Sequence, residues 1–275
     1  MATLTEKEKQ EIDNHPRRDE VYQMLSELLG TNTNITQDNI GSAFRFLSDY
    51  DEAIDWYQRA LKSDPEEEQI HLGIGIVYQL QGDYKNALLH LSKAAQNISL
   101  ISAWNSLGLT YKKMGRPNDA LNTYKLAASN LVQLIIASLK NRKTDTLYPP
   151  PPHLTGIWVK DAMHKALLIT VEEGLSNVLF PTGESALQQM KDGDTTLWHD
   201  DDDTRQYYVN FLNAVAHHLK SDLSYASLMN NIGVIQAEAG DVKNAKESLE
   251  ESIAFTPDGV TYNPPRLGLE SLSGE

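Results

Sequence analysis

Apolar residues recur along this chain at helical spacing, in paired stretches joined by short polar turns. Residues 68–96, EQIHLGIGIVYQLQGDYKNALLHLSKAAQ, show the pattern best. Leu72, Ile74, Gly75 and Tyr78 recur at the spacing of one helix, and Ala87, Leu91, Ala94 and Ala95 at that of a second. Between them Gly82 suits the left-handed position just past a helix end, and Asp83 suits the cap of the next helix. The turn returns as Gly240-Asp241 and, altered, as Gly115-Arg116-Pro117. The segments at 82–87 and 240–245 differ at one position only.

The pairs are periodic. Gly41, Gly75, Gly108 and Gly233 each stand twelve residues before an alanine, at Ala53, Ala87, Ala120 and Ala245, and the first three units follow at offsets of 34 and 33 residues. A small residue at fixed points on both helices lets them approach closely. A repeat of this length marks a stacked array of helix pairs, in which each unit packs on its neighbours.

At these residues the chain resembles the tetratricopeptide repeat family, a 34-residue helix-turn-helix with a W-x2-L-G-x2-Y…A-x3-F…A…P pattern. The third unit carries Trp104, Leu107, Gly108, Tyr111, Ala120, Tyr124 and Ala127. The first carries Ile40, Gly41, Phe44, Ala53, Tyr57, Ala60 and Pro65; the second Ile74, Gly75, Tyr78, Ala87, Leu91 and Ala94, with Ser99 in place of proline. The last carries Ile232, Gly233, Ala245, Leu249 and Pro257, with Gln236 in place of the aromatic residue. The resemblance implies an all-α, right-handed helical solenoid with a divergent helical insertion before the last repeat. The expected divisions are an N-terminal capping helix region at 1–33, three repeats at 34–134, the insertion at 135–225, the final repeat at 226–259 and a C-terminal tail at 260–275.

Outside the repeats, residues 15–29 read as an amphipathic helix with Asn14 as cap, Pro16 in the first turn and Gly30 at the end. Its face of Val21, Leu25, Leu28 and Leu29 is expected to cover one end of the array. From Ala120 the chain runs to about Lys140 without proline or glycine, so the second helix of unit three is expected to be long. Prolines 149–152 favour an extended connector, and helices are expected near 157–179, 184–191 and 204–220. After Pro257 the chain is expected to be extended.

Charge then narrows the partners. The net charge is −14, and residues 144–275 hold 20 acidic against 8 basic side chains. Nucleic acid and anionic membranes both select basic surfaces, so neither is expected as a partner. There is no cysteine, which removes disulfides and thiolate metal sites. No stretch approaches 18 uncharged apolar residues, and the first residues lack a secretory apolar core. A soluble cytoplasmic protein is the expectation.

No constellation of acid, base and nucleophile emerges, so no catalytic residue, cofactor or metal is expected. The run His199–Asp203 lacks the alternating ligands and turn glycine of a calcium loop. His217 and His218 are adjacent and cannot share a metal as an i, i+4 pair does. Gly73-Ile74-Gly75 lies inside a helix.

In the family this chain resembles, the first helix of each unit lines a concave groove. Transferred here, the groove comprises Asp38, Ser42 and Arg45; Gln69, Leu72, Ile76 and Gln79; Asn105, Leu109, Lys112 and Lys113; and Asn230, Val234 and Ala237. Asparagine can hydrogen-bond both groups of a peptide backbone, and Leu72, Ile76 and Leu109 make the middle apolar. Some family members hold acidic chaperone tails through basic side chains; the matching Asp38, Ser42, Leu72 and Ser106 lack them, so such tails are not expected to bind. The expected function is a non-enzymatic scaffold, adaptor or assembly factor that binds a protein or peptide in the groove, unless residues 144–200 fill it. The alternatives are a subunit of a larger complex in which the outer surface matters more, or an enzyme or ligand sensor whose pocket lies between the repeats and residues 144–225, ringed by Trp158, His164, Trp198 and Tyr207.

Overall fold

The computed structural model describes residues 4–32, 34–140, 214–215 and 217–273. Among these the chain is all helical, with helices packed as consecutive antiparallel pairs. It divides into two compact units within a long helix, after Ala120. The proline connector, the helices expected at 157–179 and 184–191, the acidic run at 199–203, and Trp158, His164, Trp198 and Tyr207 lie outside the described residues.

The first unit opens with α1 (Glu6–Asp13) and α2 (Arg18–Leu29). Helix α1 was not expected from its polar sequence. It starts at a capping box: Thr5 Oγ1 accepts from the Glu8 N–H at 3.2 Å, and the Glu8 carboxylate accepts from the Thr5 N–H at 2.8 Å. Pro16 therefore sits in the turn between α1 and α2, and α2 begins at Arg18 rather than after Asn14. Ile12, Val21 and Leu25 close over Ile40, Phe44 and Trp56 of the first repeat, while Leu28 stays exposed. Arg59 clamps α1 from outside, with two guanidinium bonds of 2.8 and 2.9 Å to Glu11.

Three helix pairs begin in this unit: α3 (Gln37–Phe46) with α4 (Tyr50–Ser63), α5 (Glu68–Gln81) with α6 (Tyr84–Ala94), and α7 (Ile101–Lys113) with α8 (Pro117–Lys140). The length of α8 agrees with the uninterrupted run after Ala120. The periodic glycines are explained by their surroundings. A Cβ on Gly41 would lie 2.8 Å from the Tyr57 ring, and one on Gly75 would lie 2.6 Å from Leu91 Cγ. The large side chain four residues after each periodic alanine thus rests directly on the facing helix backbone. Ala53 and Ala87 are fully buried in the same contact. Tyr57 also reaches forward: its hydroxyl is hydrogen-bonded to Ser42 at 2.9 Å, and its ring lies against Gly73 of the next repeat.

The turns inside the four repeats share one bond. The N–H groups of Asp49, Asp83, Arg116 and Asp241 return to the carbonyls of Phe44, Tyr78, Tyr111 and Gln236 at 2.9–3.0 Å. That closure requires a left-handed residue just before. Gly82, Gly115 and Gly240 supply it, but the first repeat places Ser48 there, at φ 61°. The following aspartate starts the next helix: Asn86 gives both its backbone N–H and its side-chain amide to Asp83, and Asn244 does the same to Asp241.

The second unit contains most of α8, then α9 (Ser224–Glu238), α10 (Val242–Ala254) and α11 (Pro264–Ser273). Gly233 repeats the close approach, with Leu249 Cγ 2.8 Å from where its Cβ would be. Buried polar bonds join α9 to α10: Tyr225 donates to Glu251 and Ser252 donates to the Ala226 carbonyl, both at 2.6 Å. The chain after Pro257, expected to be extended, forms α11, which packs on α10 through Gly268 and Leu249. Pro264 and Pro265 do not oppose this helix, because proline in a first helical turn forfeits no intrahelical bond.

One buried pair joins α5 to α6 inside the second repeat. His71 is 2 % exposed; its Nε2 lies 3.0 Å from the Pro65 carbonyl and its Nδ1 2.9 Å from His90 Nδ1. The carbonyl only accepts, so His71 carries its proton on Nε2 and His90 donates from Nδ1. Burial, then His71 and Lys93, push the His90 imidazole down to about 4.

Three outcomes follow from this packing. Gly75→Val destabilises the chain by about 2 kcal/mol, seen as a lower urea midpoint, because the Leu91 contact has no room for a branched side chain. Ser48→Gly stabilises it by about 0.5–1 kcal/mol in the same assay, by removing the cost of a left-handed serine. The folded His90 binds a proton less readily than the unfolded one, so its contribution is complete above about pH 6.5 and is lost as pH falls toward about 4. His90→Gln flattens that part of the stability–pH curve.

Candidate peptide-binding face

A helix turns 100° per residue, so the residues of a first helix that face away from its partner are fixed by their offset from the repeat glycine. In α3 these are Asp38, Ser42, Arg45 and Phe46; in α5 they are Gln69, Leu72, Ile76, Gln79 and Leu80. In α7 they are Asn105, Leu109, Lys112 and Lys113. The three helices lie side by side within the first unit. Tyr57 spans α3 and α5 through Ser42 and Gly73. Gln79 locks α5 to α7, its amide donating to the Ser106 carbonyl at 2.9 Å and to Thr110 Oγ1 at 2.6 Å.

The expected site residues do not all reach the surface. Leu72 is 8 % exposed and belongs to the core between repeats two and three, with Leu91, Ala103 and Leu107. The next repeat covers it, which an outward offset on its own helix does not reveal. Ile76 is half-buried against the same cluster. Gln79 spends its amide on the α5–α7 bridge. Asn105 and Lys112 are partly exposed, and Gln69 and Leu109 are exposed. In the second unit, Asn230 of α9 is 8 % exposed and Val234 is half-buried.

Three buried side-chain polar atoms among the described residues have no hydrogen-bond partner: Arg45 Nε, Trp104 Nε1 and Asn230 Oδ1. All three lie on first helices of repeats. The Arg45 guanidinium stacks over the neighbouring Phe46 ring, 4.2 Å from its centroid. Phe46 and Leu80 are absent from the expected set yet are among the most exposed large apolar side chains of the first unit, at 51 % and 52 %. Both stand five residues after a repeat glycine, so extending the offset rule by one residue finds them.

At the N-terminal end of the face, Gln37, Asp38, Ala60, Ser63, Asp64, Glu67 and Ile70 line a cavity of about 90 Å³. That is well below the volume of a typical small-molecule site, about 300 Å³ or more. Its Glu67 carboxylate is drawn to the start of α5, where it accepts from the Gln69 N–H at 3.4 Å. Among the described residues no helix is long and apolar enough to cross a membrane.

Comparison with known proteins agrees with the geometry. A family model described as a TPR repeat matches residues 41–82, and one described as a tetratricopeptide repeat matches residues 101–129 and 226–258. No curated protein matches the chain. Among solved structures the chain is similar to YrrB, described as a TPR protein with an unusual peptide-binding site. Sequence identity is 19 %, 90 % of this chain and 97 % of that chain are covered, and the TM-score is 0.33. The family assignment stands on the repeat models and on the shared glycine contacts, not on this likeness. With matches in both units and the periodic alanines buried in each repeat, residues 41–82, 101–129 and 226–258 of this chain are tetratricopeptide repeats.

Proposed function

We propose that this chain is a non-enzymatic scaffold, adaptor or assembly factor of the cytoplasm that holds a partner peptide or helix along the first helices of its repeats. Tetratricopeptide repeats support a protein-interaction module in general. The finer reading is carried by one observation. The outward face of α3, α5 and α7 keeps Leu109, Leu80 and Phe46 exposed, at 39–52 %, beside partly exposed polar groups such as Asn105. Covering these apolar side chains together with a partner would release the water around them, which favours binding. Side-chain amides beside them can satisfy a peptide backbone as it is desolvated. Leu72 and Asn230 have no part in this contact, because both are buried.

The reading is tested with the chain purified under gentle conditions from its own host, as wild type and as Leu109→Arg. The substitution places a charge at an exposed position, where folding changes by less than about 0.5 kcal/mol. The wild type is expected to return with a stoichiometric protein partner, and Leu109→Arg to lose most of it while keeping its thermal midpoint. A bare wild-type monomer, or a partner retained in full by the variant, would sink the proposal.

A further inference from the structure

The same face has a chemistry that narrows its occupant. Each first helix brings a pair of side chains one turn apart to the outward side: Ser42 and Phe46 on α3, Ile76 and Leu80 on α5, Leu109 and Lys113 on α7. Phe46, Leu80 and Leu109 form the exposed apolar part. Cations stand at both ends of it. At one end the Arg45 guanidinium lies on the Phe46 ring, with its Nε lacking an acceptor. At the other, Lys112 and the exposed Lys113 end α7.

Among the described residues, the acids carried by α3 and α5 themselves stand away from that edge. Asp38 and Glu68 are in the first turns of α3 and α5, at the far end of each helix. The carboxylates of the adjoining turns have other work. Asp49 faces Arg17 at 3.7 Å, Asp51 accepts from Gln81, Asp83 caps α6, and Asp119 holds Arg116 at 2.7 Å. A cationic, apolar edge therefore sits on a chain of net charge −14.

We propose that the C-terminal edge of α3, α5 and α7 docks an acidic peptide segment. Its apolar side chains cover Phe46, Leu80 and Leu109, and its side-chain carboxylates reach Arg45 at one end and Lys113 at the other. This rests on the peptide-binding reading above and gives the partner's chemistry. Neighbouring packed helices lie about 8–10 Å apart, so the two cationic ends are separated by about 20 Å. An extended chain rises about 3.3 Å per residue and spans that distance in about six residues. The segment recognised is thus about eight residues long, apolar about every third residue, with Asp or Glu at each end. No terminal carboxylate is needed, which separates this edge from the clamp of the chaperone-tail binders.

The experiment is a random twelve-residue peptide display selection on the whole purified chain. Enriched peptides are resynthesised with a fluorophore and titrated by anisotropy. The selection is expected to enrich Asp or Glu on both sides of an apolar core. Arg45→Gln and Lys113→Gln each weaken the best peptide by about three- to tenfold, and raising salt from 50 to 300 mM weakens it further. Circular dichroism of both variants is expected to match the wild type, since Lys113 is exposed and Arg45 is only half-buried. Enrichment of neutral or basic apolar peptides that still lose binding in Leu109→Arg would overturn this proposal and leave the peptide-binding reading intact. Enrichment indifferent to all three substitutions, or no enrichment, would overturn both.

Discussion

The first, second and last repeats each depend on a single close approach between their two helices. At Gly41, Gly75 and Gly233 the first helix has no side chain, and a ring or leucine from the second helix occupies the space a Cβ would take. Twelve residues on, a fully buried alanine brings the other backbone in. Helices this near have no freedom to slide, so the turn between them has one geometry, and the same six-residue closure recurs in all four repeats. The contact also sorts the first helix into two faces. The glycine side is consumed inside the repeat, and the opposite side is left for the next repeat or for a partner. Tyr57 shows how pairing propagates, since one side chain packs on Gly41 of its own repeat and on Gly73 of the following one.

Much of this was legible in the sequence because it is local and periodic. The glycine–alanine spacing marked the helix pairs, Gly82-Asp83 and Gly240-Asp241 marked the turns, and the absence of breakers after Ala120 marked the long α8. What escaped was either weakly apolar or decided by more than one element. Helix α1 buries little besides Ile12 and Glu8, so hydrophobic periodicity is silent there, although Thr5 and Glu8 spell a capping box. Helix α11 was hidden by Pro264-Pro265, which reads as a breaker unless the pair is placed at a helix start.

The candidate site was legible only in outline, for the same reason. An offset from the glycine says that a side chain turns away from its own partner helix. It does not say whether the next repeat lies over it. Leu72 and Gln79 turn outward and are taken by α7, one into the core and one into a hydrogen-bonded bridge. Phe46 and Leu80 turn outward and stay about half exposed, Phe46 with the Arg45 guanidinium over its ring. The His71–His90 pair has no sequence signature at all, since its members are nineteen residues apart and meet only because α5 and α6 are held at the glycine contact.

The physical account thus joins three links. Small residues set the helix spacing, the spacing exposes one face of each first helix, and that face carries apolar side chains bounded by cations. The most direct measurement of the last link is amide hydrogen exchange of the chain with and without a bound protein partner. The account predicts slowed exchange concentrated in α3, α5 and α7, strongest toward their C-terminal turns, with α4 and α6 unchanged. Slowing confined to α4 and α6, or spread evenly over the chain, would contradict it.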